Sequence, residues 1–538
     1  MNLMYSQIGY DARYQNQLIL HVTEKADSLN LRIRHRESKQ EWSFAAEPWG
    51  EKWGGFWLTA ELPPDLPVGT YRVLEPSEED TDHLFSVGQN ILREKSWYPV
   101  SLLQAEVRER VCKTKPGWRD CGSWLQEANS QAVYLWGLID YYESRQDLLN
   151  DDQRKRYLHQ IENGCSALAS YQDLGSKIDN KPGGLIHEVN AQPDIIIRND
   201  VIKAAYAFVR AAALNINNRT WRKRAIDAYR FSKTAPFFRP ESIETLAHGA
   251  PADYVPQADD FQTCDLFMMG AVAFELARSD PQYVEEAVQW FERALKRQVP
   301  KEQAEAGYYG HFKAFADSTF SENVWTHHGI SGDTGQTFAF YYFPLIQAVK
   351  QWNDHPGAPQ WRKALWDFTT GYFIPACQQN PFQLCPLGVF GEEGLISFAG
   401  LWHGMNAVYG FAAALALELA DLFPEREKDL HKIATGNLQW IAGLNTGLTK
   451  QRMETGCTFC WEDLEEDRAI PVSMIHSVGR KWGGSWTTIP GSITNGFSSG
   501  EQFTFDVDVT QAMDAPNSFT DEDWITHAGG WLYGIARY

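Results

Sequence analysis

Val408-Tyr-Gly-Phe-Ala-Ala-Ala-Leu-Ala-Leu-Glu-Leu419 is the most apolar run in the chain. Within it Val408, Phe411, Ala412, Leu415 and Leu419 recur at i, i+3, i+4, i+7 and i+11, which places them on one face of an α-helix. The run is shorter than the ~18 apolar residues of a membrane span, so it reads as a buried helix of a globular core. The same template fits Val284, Ala287, Val288, Phe291 and Leu295, and again Phe338, Tyr341, Tyr342, Leu345 and Val349. Segments 131–145, 201–214, 265–278, 429–442 and 522–537 follow it too. Roughly ten to twelve helices are expected from about residue 95 onward, with no alternation of strand and helix between them. Loops over 177–198, 236–263, 300–335, 376–400 and 445–520 interrupt the helices, and loops of that length are usually functional. No sequence repeat is evident, so the arrangement expected is a closed double ring of helices whose loops build a site at one end.

Toward the N-terminus the period changes. Leu18, Leu20 and Val22 are expected to alternate with polar or exposed positions, and Leu29, Leu31 and Ile33 alternate with Asn30, Arg32 and Arg34, as in strands with one wet face. Pro63-Pro64, Pro67-Val-Gly69 and the acidic 75–82 stretch supply turns, and Gly69–Leu74 reads as a further strand. Residues 1–90 are therefore expected to form a small β-sandwich, and 91–538 the helical domain.

Composition narrows the function. The chain has 538 residues, 49 Lys+Arg against 69 Asp+Glu and a net charge of −20, which argues against nucleic acid and against anionic membrane surfaces. The N-terminus lacks a basic stretch followed by an apolar core and cleavage site, and the 8 Cys show no disulfide-framework spacing, so a cytoplasmic protein with reduced thiols is expected. Cys457-Thr-Phe-Cys460 has no second pair, and adjacent His327 and His328 point apart, so neither argues for a metal. The run 462–467 reads as a solvated acidic face, no phosphate cradle is present, and no cofactor or metal is expected. Trp is abundant, at 21 residues, and suits sugar rings with apolar faces and hydroxylated rims, although a large aromatic core gives the same count.

The chemistry-bearing residues cluster in aromatic, Gly-rich loops. These are Pro116-Gly-Trp-Arg-Asp-Cys-Gly-Ser-Trp124, Pro182-Gly-Gly-Leu-Ile-His-Glu-Val189, Trp325–Asp333, Ile475-His-Ser-Val-Gly-Arg480 with Trp482 and Trp486, and Thr520–Trp531. Two carboxylates from opposite chain ends, each beside Trp and opening a helix, suit glycosidic-bond cleavage: one protonates the leaving oxygen, the other activates water.

These motifs, in order, resemble glycoside hydrolase family 9, in the branch with an N-terminal immunoglobulin-like domain before an (α/α)6 barrel. Ser6-Gln-Ile-Gly-Tyr10 resembles N-Q-V-G-Y, and Pro67–Val73 resembles the P-G-T-Y-R-L strand. Gly117-Trp-Arg-Asp-Cys-Gly-Ser123 resembles G-W-H-D-A-G-D, and Pro182-Gly-Gly-Leu-Ile-His187 resembles D-G-G-V-Y-H. Trp440-Ile-Ala-Gly-Leu-Asn445 resembles W-I-L-G-x-N, Pro490–Gly496 resembles P-G-x-x-x-x-G, and Asp521–Trp531 resembles N-E-x-x-I-x-x-N-A-x-F. The resemblance implies a mainly α fold, an (α/α)6 barrel preceded by a small immunoglobulin-like β-sandwich.

It also implies roles. Glu522 matches the general acid, and Asp120 the aspartate that helps hold the nucleophilic water. The family's usual base falls on Ser123, whose hydroxyl cannot take up a proton as a carboxylate does. Three readings stay open: Asp120 is itself the base; a loop acid such as Glu127, Asp333, Glu392 or Glu393 has taken over; or hydrolysis is lost. Ser123, Trp124, His187, Trp402, His476, Arg480 and Trp524 are candidate substrate contacts. Each has a plainer reading. Asp120 could cap the following helix or pair with Arg119, and Glu522 could simply favour a helix start. His187 could be a structural histidine, and Trp118, Trp124, Trp402, Trp524 and Trp531 could fill the core. The expected activity is exo-acting, inverting hydrolysis of a short β-linked oligosaccharide, of β-glucosidase or β-glucosaminidase type. The rivals are a lyase or epimerase on the same barrel, using His and Tyr, and a saccharide-binding protein that does not cleave.

Overall fold

The structure is a computed structural model that describes residues 1–52, 54–74, 83–120, 125–178, 180–190, 193–235, 238–239, 261–316, 342–386, 388–390, 394–396, 405–445, 458–459, 475–478, 489–493 and 524–538. Alternating apolar residues near the N-terminus build eight strands: β1 (Asn2–Met4), β2 (Tyr10–Asp11), β3 (Gln17–Val22), β4 (Leu29–His35), β5 (Glu41–Lys52), β6 (Gly55–Glu61), β7 (Gly69–Leu74) and β8 (Leu84–Gly88). Their order is β1-β3-β6-β5-β4-β7-β8-β2. The long β5 passes between two layers: its first half pairs with β4 and its second with β6, with a register shift between Pro48 and Gly50. Leu18, Leu20, Leu58 and Ala60 meet Leu31, Ile33, Tyr71, Val73 and Phe85 between the layers, which is the core of a sandwich. The Tyr71 hydroxyl donates to the Pro67 carbonyl at 2.5 Å, pinning the turn that precedes β7.

One strand departs from the expected wet face. Ile19 lies between Leu18 and Leu20 and is equally buried, because its face of β3 packs with Met4 and Trp57 against the helical domain. Trp57 meets Phe382 edge-on at 5.6 Å, and the Gln7 amide donates to the Ala442 carbonyl at 2.9 Å. Arg13 Nη2 donates to the Tyr538 carbonyl at 3.0 Å, and Tyr14 stacks on the Tyr538 ring at 4.2 Å.

The helical domain opens with α1 (Ile91–Tyr98), a π-helical turn (Pro99–Leu103) and α2 (Gln104–Val111). Then follow α3 (Ala128–Arg145), α4 (Asp151–Ile178), α5 (Arg198–Ala213), α6 (Asn218–Ser232), α7 (Thr263–Ala277), α8 (Tyr283–Leu295), α9 (Phe343–Gln351), α10 (Ala358–Phe368), α11 (Ile374–Cys377), α12 (Met405–Leu422), α13 (Glu427–Ile441) and α14 (Ile525–Arg537). α3, α5, α7, α9, α12 and α14 pack each on the next, and α14 closes back on α3. Outside that ring α4, α6, α8, α10 and α13 each fold back on the inner helix before them, and the α1–α2 segment covers α14. This is an (α/α)6 barrel. The opening run Val408–Leu419 lies within the inner helix α12 and is buried on nearly every side, as a helix apolar all round must be. In outer helix α6, by contrast, Trp221, Ala225, Ala228 and Tyr229 are buried while other faces are wet.

α14 sits tightly between its neighbours because its first turns contain Gly529 and Gly530. A Cβ on Gly529 would lie 2.4 Å from the Val133 carbonyl of α3, and one on Gly530 would lie 2.3 Å from the Ala407 carbonyl of α12. Among the described residues no helix is long and apolar enough to cross a membrane.

Candidate active site

The start of inner helix α3 gathers the two Gly-rich loops. The exposed amides of a helix N-terminus need acceptors, and here the loops provide them. Asp120 Oδ2 accepts the Glu127 N–H at 2.9 Å, Glu188 Oε1 accepts the Gln126 N–H at 3.1 Å, and the His187 carbonyl accepts the Ala128 N–H at 2.7 Å. Asp120 is not the N-cap of α3, which is Glu127, but its carboxylate holds the N–H of that residue. Two residues absent from the sequence-based candidates complete the frame. Gln126 Oε1 accepts the Thr114 N–H at 2.9 Å, and Asn190 Nδ2 donates to the same oxygen at 3.0 Å.

The loop of His187 is shaped by Gly183, at φ +106°, where a Cβ would stand 2.1 Å from the Asp227 carbonyl of α6. His187 is buried, its N–H donates to the Ile195 carbonyl at 2.7 Å, and its Nδ1 lies 2.7 Å from Asp200 Oδ2. Its Nε2 lies 4.0 Å from Glu127 Oε1. Asp200 was not among the sequence candidates. Its only local mark is an acidic residue in the first turn of α5, thirteen positions after His187.

The C-terminal motif meets the same place. The Ile525 N–H donates to the Asp120 carbonyl at 2.7 Å, so the first amide of α14 rests on the loop that caps α3. Arg108, fully buried, donates through Nη1 to the Arg119 and Asp120 carbonyls at 2.9 and 3.2 Å. Trp524 Nε1 donates to Ser130 Oγ at 2.8 Å, and that hydroxyl donates to Glu127 Oε2 at 3.4 Å. The strand Ile489–Ile493 lies under α14: the Ile493 carbonyl is 2.9 Å from His527 Nδ1, and Gly491, at φ +79°, has the Pro99 carbonyl oxygen 2.1 Å from where a Cβ would be. It pairs with the strand Ile475–Val478, which sets His476 opposite Ser492.

The structure thus brings together Asp120, His187 and Trp524, with Glu127, Asp200 and Ser130 around them. Glu522, Ser123, Trp124, Trp402 and Arg480 lie outside the described residues, as do Asp333, Glu392, Glu393, His327, His328, Cys457, Cys460 and 462–467, and of His476 only the backbone is described. Two indoles are now assigned to packing. Trp118 and Trp531 are fully buried, donating to Gln160 Oε1 and Ser96 Oγ at 2.8 Å each. Trp57, Trp136 and Trp361 are buried as well, so part of the Trp excess fills the core. Among the described residues no group of three or more His, Cys, Asp or Glu is placed to hold a metal ion.

No family model matches the chain, and no curated protein matches it by sequence. In structure it is similar to a GH9 protein of Bacteroides ovatus, with a TM-score of 0.63 and 13% identity over 99% of this chain and 98% of that one. It is also similar to a Zn-binding triple mutant of the GH family 9 endoglucanase J30, with a TM-score of 0.61 and 13% identity over 98% and 99% of the two chains. At such low identity what is shared is the fold, and it is shared from end to end: a β-sandwich followed by an (α/α)6 barrel.

Proposed function

We propose that the chain is a glycoside hydrolase that removes sugar units from the end of short β-linked oligosaccharides, with Glu522 as general acid and a carboxylate of the Asp120–Glu127 turn activating water. The observation that carries this reading is the 2.7 Å bond from the Ile525 N–H to the Asp120 carbonyl. It fastens the start of α14, just after Glu522 in sequence, to Asp120, and this supports an acid–base pair drawn from opposite ends of the chain. In the reaction Glu522 protonates the glycosidic oxygen as the bond breaks, and water attacks the anomeric carbon from the other face, inverting it. Ser123, Trp124, His187, Trp402, His476, Arg480 and Trp524 line the sugar site in this proposal. A cytoplasmic setting belongs to this proposal as well.

The test is release of reducing sugar from a panel of β-linked disaccharides. Wild-type protein should release it, and Glu522→Gln should reduce the rate by about 10²–10⁴-fold, the usual contribution of a general acid. An unchanged rate in Glu522→Gln refutes the assignment. Appearance of an unsaturated sugar in place of a hydrolysis product would mark a lyase.

A further inference from the structure

We propose that Glu127 is the carboxylate that takes the proton from the hydrolytic water, a role that rests on the glycosidase reading and assigns its base. Four acids frame the start of α3 and α5 among the described residues, and they differ in access. Asp120, Glu188 and Asp200 are at most 1% exposed, whereas the Glu127 side chain is 14% exposed. A base has to reach water, and Glu127 is the member of this group that does.

Its surroundings hold it for that task. Glu127 sits at the N-cap of α3, with φ −74° and ψ 139°, so its side chain leaves from the rim of the inner ring rather than from inside the helix. The N–H is fixed by Asp120 Oδ2 at 2.9 Å. One carboxylate oxygen accepts Ser130 Oγ at 3.4 Å, and Ser130 is in turn held by the Trp524 indole at 2.8 Å. The other oxygen faces His187 Nε2 at 4.0 Å, and Asp200 anchors the far side of that ring at 2.7 Å. The His187 ring is thus held between Asp200 and Glu127, which fixes where the Glu127 carboxylate lies. Trp524 links this arrangement to the C-terminal segment that carries Glu522. Asp120, Ser130, His187 and Asp200 are positioning residues in this scheme.

The step balances. A water oxygen forms the new bond to the anomeric carbon while its proton passes to Glu127. The glycosidic C–O bond breaks, its electrons stay on the leaving oxygen, and that oxygen takes the proton of Glu522. Glu127 ends protonated and Glu522 ionised, and exchange with solvent restores both.

The experiment compares Glu127→Gln, Glu127→Ala and Glu522→Gln with wild type on a β-linked substrate, with and without sodium azide. Glu127→Gln should lower kcat by about 10²–10⁴-fold with KM within a few-fold. In Glu127→Ala, azide should enter where the activated water attacked and release a glycosyl azide of inverted configuration, a product that loss of a structural contact would not create. Glu127→Gln activity within about twofold of wild type, or no glycosyl azide from Glu127→Ala, overturns the assignment of the base. If instead Glu522→Gln matches wild type, the glycosidase reading itself has failed.

Discussion

At Asp120 the side chain and the main chain bind different helices. The carboxylate accepts the N–H of Glu127, the N-cap of α3, and the carbonyl receives the first amide of α14. Replacing it therefore tests position as well as charge. Asp120→Ala removes the acceptor of the Glu127 N–H and should cost about 1–3 kcal/mol, the usual value of a donor left unsatisfied. Asp120→Asn keeps a side-chain carbonyl in the same place and should recover most of that stability in urea titrations. If Asp120 positions Glu127, the Asn variant should also recover most of the kcat lost in the Ala variant. A kcat as low in Asn as in Ala, with stability restored, would show that the charge itself is required.

At the scale of elements, the far end of the barrel carries a buried ion cluster that makes acid sensitivity predictable. Arg537 of α14 is paired with Asp140 of α3 and with Glu418 of α12, and Lys350 of α9 donates to Glu418 at 2.8 Å. Burial alone would raise the Glu418 carboxyl, but Arg537 and Lys350 outweigh it and hold the group below its ordinary 4.5. A depressed folded value means stability is fully present above the unfolded value and is lost as pH falls below 4.5 through the folded one. Glu418→Gln should therefore flatten the acid limb of the urea midpoint against pH, while leaving its shape above pH 5 nearly unchanged. An acid limb as steep as wild type would show that Glu418 does not set the acid sensitivity.

The same scale shows what the sequence made legible. α3, α5, α7, α13 and α14 fall within a few residues of the periodic segments, because inner and outer helices both keep a 3.6-residue apolar period. α4 was not singled out: its stretch Asp151–Ile178 begins with charged residues, and its apolar face is thin for its length. The buried second face of β3 was not visible either, since only the barrel packed behind it makes Ile19 interior. In the site, the Gly-rich loops announced Asp120 and His187. Nothing local pairs His187 with Asp200, because that contact is made by the return of the chain into α5.

At the scale of the whole molecule, the sandwich is fastened to the barrel by apolar contact as well as by main-chain bonds. Trp57 is buried, donates its indole N–H to the Lys52 carbonyl at 2.9 Å, and presents its ring to Phe382. Trp57→Ala should cost about 3–5 kcal/mol, as large-to-small core substitutions do. Because the ring belongs to the barrel's core cluster, the loss should appear as a lower urea midpoint in barrel signals as well as in sandwich signals. A barrel midpoint unchanged from wild type would show that the sandwich adds nothing to barrel stability.

The bond between the Ile525 N–H and the Asp120 carbonyl ties the start of α14 to the segment before α3. The proposed reaction is inverting hydrolysis with Glu522 as the acid. The direct measurement is proton NMR of the first sugar released from a β-linked disaccharide, taken before mutarotation. The α-anomer should appear first with wild-type protein, and Glu522→Gln should release about 10²–10⁴-fold less. A β-anomer appearing first, or equal release by Glu522→Gln, would contradict it.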